Sequence, residues 1–252
     1  MNNIINAEFK KIIRSKGLIV FWLFSLFLSY ISVSAFSVSE TYADLFSKFY
    51  GLAPLMGILM FGMFSGSFVL EYSSNMDSIV KTTKNGKDKL VLAKGIAYGV
   101  AASIVNLSIF ILMASKAMIV LDFKGLSIPL KNLWYFGNSG SNITVLQLMI
   151  ITIITVILGS FLFAQLGLWI SSLSKKAIVP FFIGGVIMGA PYLLSNFIKS
   201  KVWGFLPLWG MYSGELIRYK ISPIAFIVFI VVVFVGGYIL NNITKKVFSK
   251  ER

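Results

Sequence analysis

Six stretches of this chain contain no Asp, Glu, Lys or Arg, and each is long enough for a helix to cross a lipid bilayer. They cover residues 17–39, 49–70, 95–115, 143–174, 177–198 and 221–244. A backbone in hydrocarbon finds no water, so a spanning segment must be a helix of about 20 apolar residues or a strand of a closed barrel. Barrel strands alternate apolar and polar residues, whereas these stretches are apolar throughout. With 13% charged residues, the chain is predicted to be an all-α, polytopic membrane protein with six transmembrane helices in one domain, residues 1–252.

The Lys and Arg residues are distributed unequally across this predicted membrane. Fifteen of the 23 fall on the side of the N-terminus and eight on the other. Because short basic loops stay in the cytoplasm, both termini are predicted to be cytoplasmic. The net charge of +14 is then explained by topology and by attraction to anionic membrane lipids, and no nucleic-acid binding is expected. One alternative for the first stretch is a signal peptide that is cleaved after Val33-Ser34-Ala35. The length of this uncharged stretch and the further membrane-spanning stretches that follow it favour a retained helix.

Several kinds of chemistry are excluded by composition. The chain has no Cys and no His, which removes disulfides, thiolate or imidazole metal sites, and catalytic triads or dyads that use His. It also lacks a Gly-x-x-x-x-Gly-Lys-Ser/Thr run, so it is not expected to bind ATP through a phosphate-binding loop. We therefore expect no enzymatic activity, no catalytic residue, no metal and no cofactor on this chain.

Residues 1–16 are predicted to form an interfacial amphipathic helix on the inner leaflet. Ile5, Phe9, Ile12 and Ile13 recur at helical spacing on one face. The alternative is a basic flank that serves only to retain the N-terminus in the cytoplasm.

The loop of residues 71–94 carries the pattern of a second short amphipathic helix. Ser74 or Asn75 can cap its start, and Asn85-Gly86 can end it. Met76, Ile79 and Val80 share one face of this helix. Asp77 and Lys81 have the i, i+4 spacing of an ion pair. Two or three turns bury too little area to be stable alone, so this helix needs a surface to dock into. The alternative is a helix that rests on lipid headgroups.

The order of parts along the whole chain resembles permeases of type 2 ABC exporters, and most of all the small six-helix permeases of bacteriocin immunity and peptide export. The resemblance rests on residues 66–71, the loop helix, the turn at residues 85–87, Ala93-Lys94 before the third stretch, and Ser174-Lys175-Lys176. In that family the loop is a coupling helix that inserts into a cleft of a separate ATPase subunit, which holds ATP and Mg²⁺. Two permeases, identical or related, assemble with two ATPases.

The resemblance implies a set of residues that couple this chain to the ATPase. They are Glu71, Asn75, Met76, Asp77, Ile79, Val80, Lys81 and Gly86. Glu71 lies at a helix end, where its carboxylate can reach water, and we expect it to anchor the loop rather than carry protons.

Uncharged polar and small residues inside the apolar stretches predict contacts between helices. Asn106, Gln147 and Gln165 are expected to bond neighbouring helices, with a role in lining a translocation path as the alternative. Three glycine pairs with four-residue spacing allow close packing within the chain or, as the alternative, between two chains: Gly62/Gly66, Gly95/Gly99 and Gly185/Gly189.

The outer segment, residues 196–220, is rich in aromatic residues, Gly and Pro. It is predicted to form short helices that dip into the outer leaflet, with Trp203, Trp209 and Tyr212 in contact with cargo. The alternative is an ordinary aromatic belt at the membrane surface. By its resemblance, the chain is expected to be the permease of an ABC exporter that moves a hydrophobic or amphipathic peptide, such as an antimicrobial peptide. Export of a lipid, drug or polysaccharide precursor, a secondary transporter and an intramembrane enzyme are the alternatives.

Overall fold

The computed structural model describes residues 1–73, 86–198 and 201–249, and the helix is the main secondary structure within these ranges. Twelve α-helices are described: α1 Asn2–Ile13, α2 Lys16–Ser32, α3 Val38–Gly51, α4 Ala53–Ser65, α5 Val69–Ser73, α6 Gly86–Val120, α7 Val145–Ser172, α8 Ile178–Phe197, α9 Pro207–Met211, α10 Ser213–Arg218, α11 Ile224–Val231 and α12 Gly237–Ser249. A π-helical turn, Val232–Gly236, joins α11 to α12. Short 3₁₀ helices cover Leu130–Asn132, Gly137–Ser139 and Lys201–Phe205. No strand occurs within the described ranges.

Four segments are long and apolar enough to cross a membrane: α6, α7, most of α8, and α11 to α12 as one piece. Two further spans are obtained only if α1 with α2, bent by 65°, and α3 with α4, bent by 42°, each count as one. Alone, α2 has 17 residues, or about 26 Å at 1.5 Å per residue, which is less than a hydrocarbon core of about 30 Å. The all-α membrane architecture therefore agrees with the sequence, while the number of spans lies between four and six.

The second apolar stretch begins earlier than residue 49 and is not one straight helix. The helix α3 begins at Val38, because Ser37 and Glu40 form a reciprocal capping box. Asp44 and Lys48 follow Glu40 at four-residue spacing on the less buried face, so charge does not interrupt the helix. Pro54 in the first turn of α4 marks the bend between the two helices.

The helix α6 is much longer than the apolar stretch at residues 95–115. It runs for 35 residues from Gly86, or about 52 Å, so it must extend beyond the hydrocarbon core. Its first turns hold Asp88 and Lys89, which prefer water. The third predicted span therefore continues into the loop of residues 71–94.

The centre of the fold is the packing of α6 against α7. At Gly95 and Gly99 an added Cβ would collide with Gln165 and Phe161 of α7, so this pair packs within the chain. At the other two predicted pairs, in α4 and α8, an added Cβ would meet no atom within 4 Å.

The polar residues of the core join helices. The Asn106 amide on α6 is fully buried and donates to the Ser160 hydroxyl of α7 at 2.9 Å. The Asn241 amide of α12 donates to Gln165 at 3.4 Å. Gln147 instead completes a capping box at the start of α7 with Thr144. Asn106 and Gln165 thus bond neighbouring helices, as the sequence analysis favours.

Candidate functional site

A buried cluster of charges lies where α1, α5 and α6 meet. The Lys94 ammonium, in the third turn of α6, is fully buried. It donates to Glu8 Oε2 of α1, to Glu71 Oε1 of α5 and to the Ser67 carbonyl oxygen, each at 2.8 Å. Lys11 Nζ adds a bond to Glu71 Oε1 at 3.2 Å. We call Glu8, Lys11, Glu71 and Lys94 the inner ion cluster; its two cations balance its two anions.

The burial of this cluster corrects the expectation for Glu71. This residue is 7% exposed, so its carboxylate does not reach bulk water as predicted from its position at a helix end. A buried carboxylate is stable only when it is paired and hydrogen-bonded, and Lys94 supplies that pair. One oxygen, Glu71 Oε2, and the Ser67 hydroxyl have no hydrogen-bond partner among the described residues. Glu71 therefore joins helices within the chain.

The sequence analysis missed Glu8 and Lys94, although a signal for each was present. Glu8 lies between Ile5 and Ile12 on the apolar face of α1, where a charge is unexpected. Lys94 immediately precedes an apolar stretch that begins at residue 95. The structure places α1 against α6, so this charge on an apolar face meets its counter-ion. The helix α1 thus packs on the protein through part of the face that was expected to contact lipid.

Aromatic and hydroxyl contacts tie α5 to two more helices. The rings of Phe68 and Tyr72 lie 5.1 and 5.9 Å from the ring of Phe248 in α12. The Tyr72 hydroxyl donates to the Ser172 carbonyl at the end of α7 at 3.0 Å. The Ser171 hydroxyl bridges the Ser65 carbonyl and the Phe68 amide. The segment before residue 74 is therefore fastened to α1, α6, α7 and α12.

The residues predicted to couple to an ATPase stand in two groups. Asn75, Met76, Asp77, Ile79, Val80 and Lys81 lie outside the described residues. Glu71 and Gly86 flank that gap, Glu71 in the inner ion cluster and Gly86 as the first residue of α6. The structure therefore describes only the residues on either side of the predicted coupling helix, and it shows how they are attached to the bundle.

The predicted cargo residues lie among the short helices of the outer segment. Trp209 is 2% exposed; its indole N–H donates to the Tyr50 hydroxyl at 3.0 Å, and its ring stacks on Tyr219 at 4.8 Å. Tyr212 is equally buried, and its hydroxyl lies 3.1 Å from Met56 Sδ. Trp203 is half-buried and donates to the Ile198 carbonyl at 2.7 Å. Trp209 and Tyr212 are thus part of the protein core in this conformation, and cargo contact stays a prediction for all three.

A second cluster of charges, not predicted from the sequence, lies at the opposite end of the bundle, beside the predicted outer segment. The Tyr135 hydroxyl donates to Glu215 Oε1, and Arg218 Nη1 donates to the Tyr135 hydroxyl at 3.1 Å and to Glu215 Oε2 at 3.4 Å. Burial raises the pKa of the Glu215 carboxyl to about 6, against the opposing effects of Tyr135 and Arg218. The same burial and the nearby carboxylate raise the pKa of Tyr135. We call these three residues the outer ion cluster.

Each end of the helical bundle thus contains a cluster of buried charges that connects different parts of the chain. Among the described residues, no group of three or more acidic side chains stands together as a metal site would require. No family model matches this chain, and a search of curated proteins gives no significant match.

Proposed function

We propose that this chain is the membrane-spanning subunit of an ATP-driven exporter of the ABC type, working with a separate ATPase subunit and a second permease. The observation that carries the proposal is the attachment of the described residues on either side of the predicted coupling helix, at Glu71 and at Gly86. One end, at α5, contacts four helices, and the other begins the longest of the described helices. This is how a loop must be anchored if an outside force applied to it is to move helices.

The inner ion cluster would transmit a force from the predicted coupling loop to the helices. A displacement of α5 would pull on Lys94 through Glu71 and on α1 through Glu8, since one ammonium bonds both carboxylates. Because α6 is a continuous helix of 35 residues, a tilt at its first turns reaches its far end without a break. Nucleotide-driven closure of the ATPases would in this way tilt the helices and pass cargo outward.

The proposed cargo is a hydrophobic or amphipathic peptide, such as an antimicrobial peptide, in keeping with the resemblance of the chain. Such a molecule partitions into the bilayer, where lipid-facing helices can receive it directly. Lipids, drugs and polysaccharide precursors are the other cargo classes to test. Export of an antimicrobial peptide would protect the cell that produces it against that peptide.

Co-purification tests the proposed partner. We expect the full-length chain, purified from its native membrane, to bring with it an ATPase subunit that carries a phosphate-binding loop. Ile79→Asp should abolish this association, because a charge would enter the apolar face of the predicted coupling helix. Ser127→Asp, which adds the same charge to an exposed outer position, is the matched control. An Ile79→Asp variant that retains the ATPase and full transport would contradict the proposal.

Labelling tests the proposed orientation. The chain has no native Cys, so Lys87→Cys and Lys131→Cys each introduce a single thiol. A membrane-impermeant thiol reagent added to intact cells should label the variant at residue 131 and spare that at residue 87. Labelling at residue 87 alone would invert the topology.

A secondary transporter is the second candidate, and the buried charges favour it. Ionisable groups such as Lys94 and Glu215 are rarely buried in membrane proteins without a use, and proton relays are one such use. The two candidates differ in their energy source. Peptide efflux in vesicles that requires ATP and survives a proton ionophore supports the exporter, whereas efflux abolished by the ionophore supports the secondary transporter.

A further inference from the structure

An apolar groove of about 520 Å³ lies at the bend between α1 and α2. Its walls come from both arms of this bend, from α4 and from the first turn of α8, and they include Ile12, Phe21, Met63 and Phe181. The volume falls within the range of about 300–1,000 Å³ that is typical of ligand sites. The groove opens on the side of the bundle that holds the inner ion cluster, since Lys11 belongs to both.

Three glycines keep this groove open. At Gly17, Gly62 and Gly66, which all line it, an added Cβ would meet no atom within 4 Å. This differs from Gly95 and Gly99, where the space beside the glycine is filled by a neighbouring side chain. The glycines of the groove therefore make room for something other than the described residues of the chain itself.

One cation, Lys11, lines the groove, and three more basic residues lie close to it in the sequence. Lys10, Lys11, Arg14 and Lys16 lie within seven residues, all exposed, and no acidic residue occurs between Glu8 and Glu40. Lys11 lines the groove, its side chain is 38% exposed, and its one hydrogen bond to a described residue, at Glu71, leaves further N–H donors. Apolar walls beside Lys11 and its basic sequence neighbours are complementary to a molecule with a hydrocarbon chain and an anionic head.

The geometry points to a binding site for an anionic phospholipid of the inner leaflet. One acyl chain lies in the groove over Gly62 and Gly66, and the phosphate is held by Lys11 and Arg14 at the bend. In the predicted topology this side of the bundle faces the cytoplasmic leaflet, whose anionic lipids supply this ligand. The site does not depend on the proposed exporter function, since it needs neither an ATPase nor cargo.

Native mass spectrometry of the purified full-length chain in mixed micelles tests this site. The probes are phosphatidylglycerol and phosphatidylcholine with identical acyl chains. We expect the wild-type chain to retain one phosphatidylglycerol about tenfold more tightly than phosphatidylcholine, from two cations at the headgroup. Lys11→Gln with Arg14→Gln should reduce this preference to about twofold or less. The matched control is Lys131→Gln with Lys220→Gln, which removes two exposed charges elsewhere and should leave the preference unchanged.

A second variant tests the acyl-chain part of the site without touching a charge. Gly62→Leu puts a side chain into open space inside the groove, so it should fold normally and weaken retention of both lipids about tenfold. Gly189→Leu, also directed into open space but away from the groove, is the control. Equal lipid retention by these two variants, or an unchanged headgroup preference after removal of Lys11 and Arg14, would overturn the site. Loss of self-association in Gly62→Leu with lipid retention intact would overturn it in favour of a contact between two copies of the chain.

Discussion

At the end of the bundle that holds α1 and the last turn of α12, Lys94 is bonded to Glu8 and Glu71; at the opposite end, Glu215 is bonded to Tyr135 and Arg218. Both clusters bury a carboxylate, but the inner one surrounds a fully buried ammonium with two carboxylates, whereas the outer one pairs a single carboxylate with a half-buried guanidinium.

The two clusters differ in the hydrogen-bond partners that replace water around each buried charge. In the inner ion cluster every donor of Lys94 meets an oxygen and the bonds join three helices, although Glu71 Oε2 has no partner among the described residues. In the outer ion cluster burial is only partly compensated, and the pKa of Glu215 is raised to about 6. We infer that the inner cluster holds helices together, while the outer cluster responds to pH near neutrality.

The largest effect is expected from Lys94→Met. It would leave the buried Glu8 without its cation and Glu71 with only the partly exposed Lys11, and breaking a buried ion pair typically costs about 3–5 kcal/mol. Reversible unfolding in mixed micelles with a denaturing detergent measures the loss. Lys89→Met, on the exposed side of the same helix, should change stability by less than about 0.5 kcal/mol. Equal effects of the two variants would show that the inner cluster does not hold the helices.

Trp209→Ala should follow, with a loss of about 3 kcal/mol from the cavity left by a buried indole. This variant tests whether aromatic packing stabilises the end that holds the outer ion cluster more than the charges of that cluster do. Trp134→Ala, at a side chain that is 60% exposed, is the control for loss of an indole. If Trp209→Ala instead keeps full stability and lowers peptide efflux per inserted chain about tenfold, the residue contacts cargo as the sequence predicts.

Glu215→Gln should change how stability depends on pH. The carboxyl pKa is raised from 4.5 to about 6 in the folded chain, so folding favours the protonated form. The stability this group contributes is complete below about pH 4.5 and is lost as pH rises through about 6, a change of about 2 kcal/mol. Unfolding measured across this interval should show the decline in the wild type and in Asp122→Asn, an exposed control. A decline that persists in Glu215→Gln would assign it to another group.

The smallest effect is expected from Lys11→Gln. This lysine is 38% exposed and shares Glu71 with Lys94, so its loss leaves the buried carboxylate paired. A loss of at most about 1 kcal/mol is expected. A loss as large as that of Lys94→Met would mean that the inner cluster needs both cations to keep its shape.

Much of the fold could be predicted from local composition. The apolar stretches at residues 143–174 and 177–198 coincide closely with α7 and α8, because a run of uncharged residues has few alternatives to a helix in hydrocarbon. The prediction was less accurate at α3, which begins at Val38, because its charges at four-residue spacing lie on one face of a helix but outside the apolar stretch that begins at residue 49. Glycine pairs were a weaker guide, since only Gly95/Gly99 proved to pack against another helix.

The sequence by itself determined the class of this protein, because hydrocarbon imposes helices on every uncharged run of sufficient length, whatever the neighbours are. It also determined the asymmetry of basic charge on which the predicted topology rests. Only the tertiary structure decided which charges are buried. Glu8 and Lys94 are 86 residues apart, and Tyr135 and Glu215 are 80 apart. Whether a carboxylate at a helix end meets water or a buried ammonium depends on which distant helix packs against it, and no local pattern carries that information.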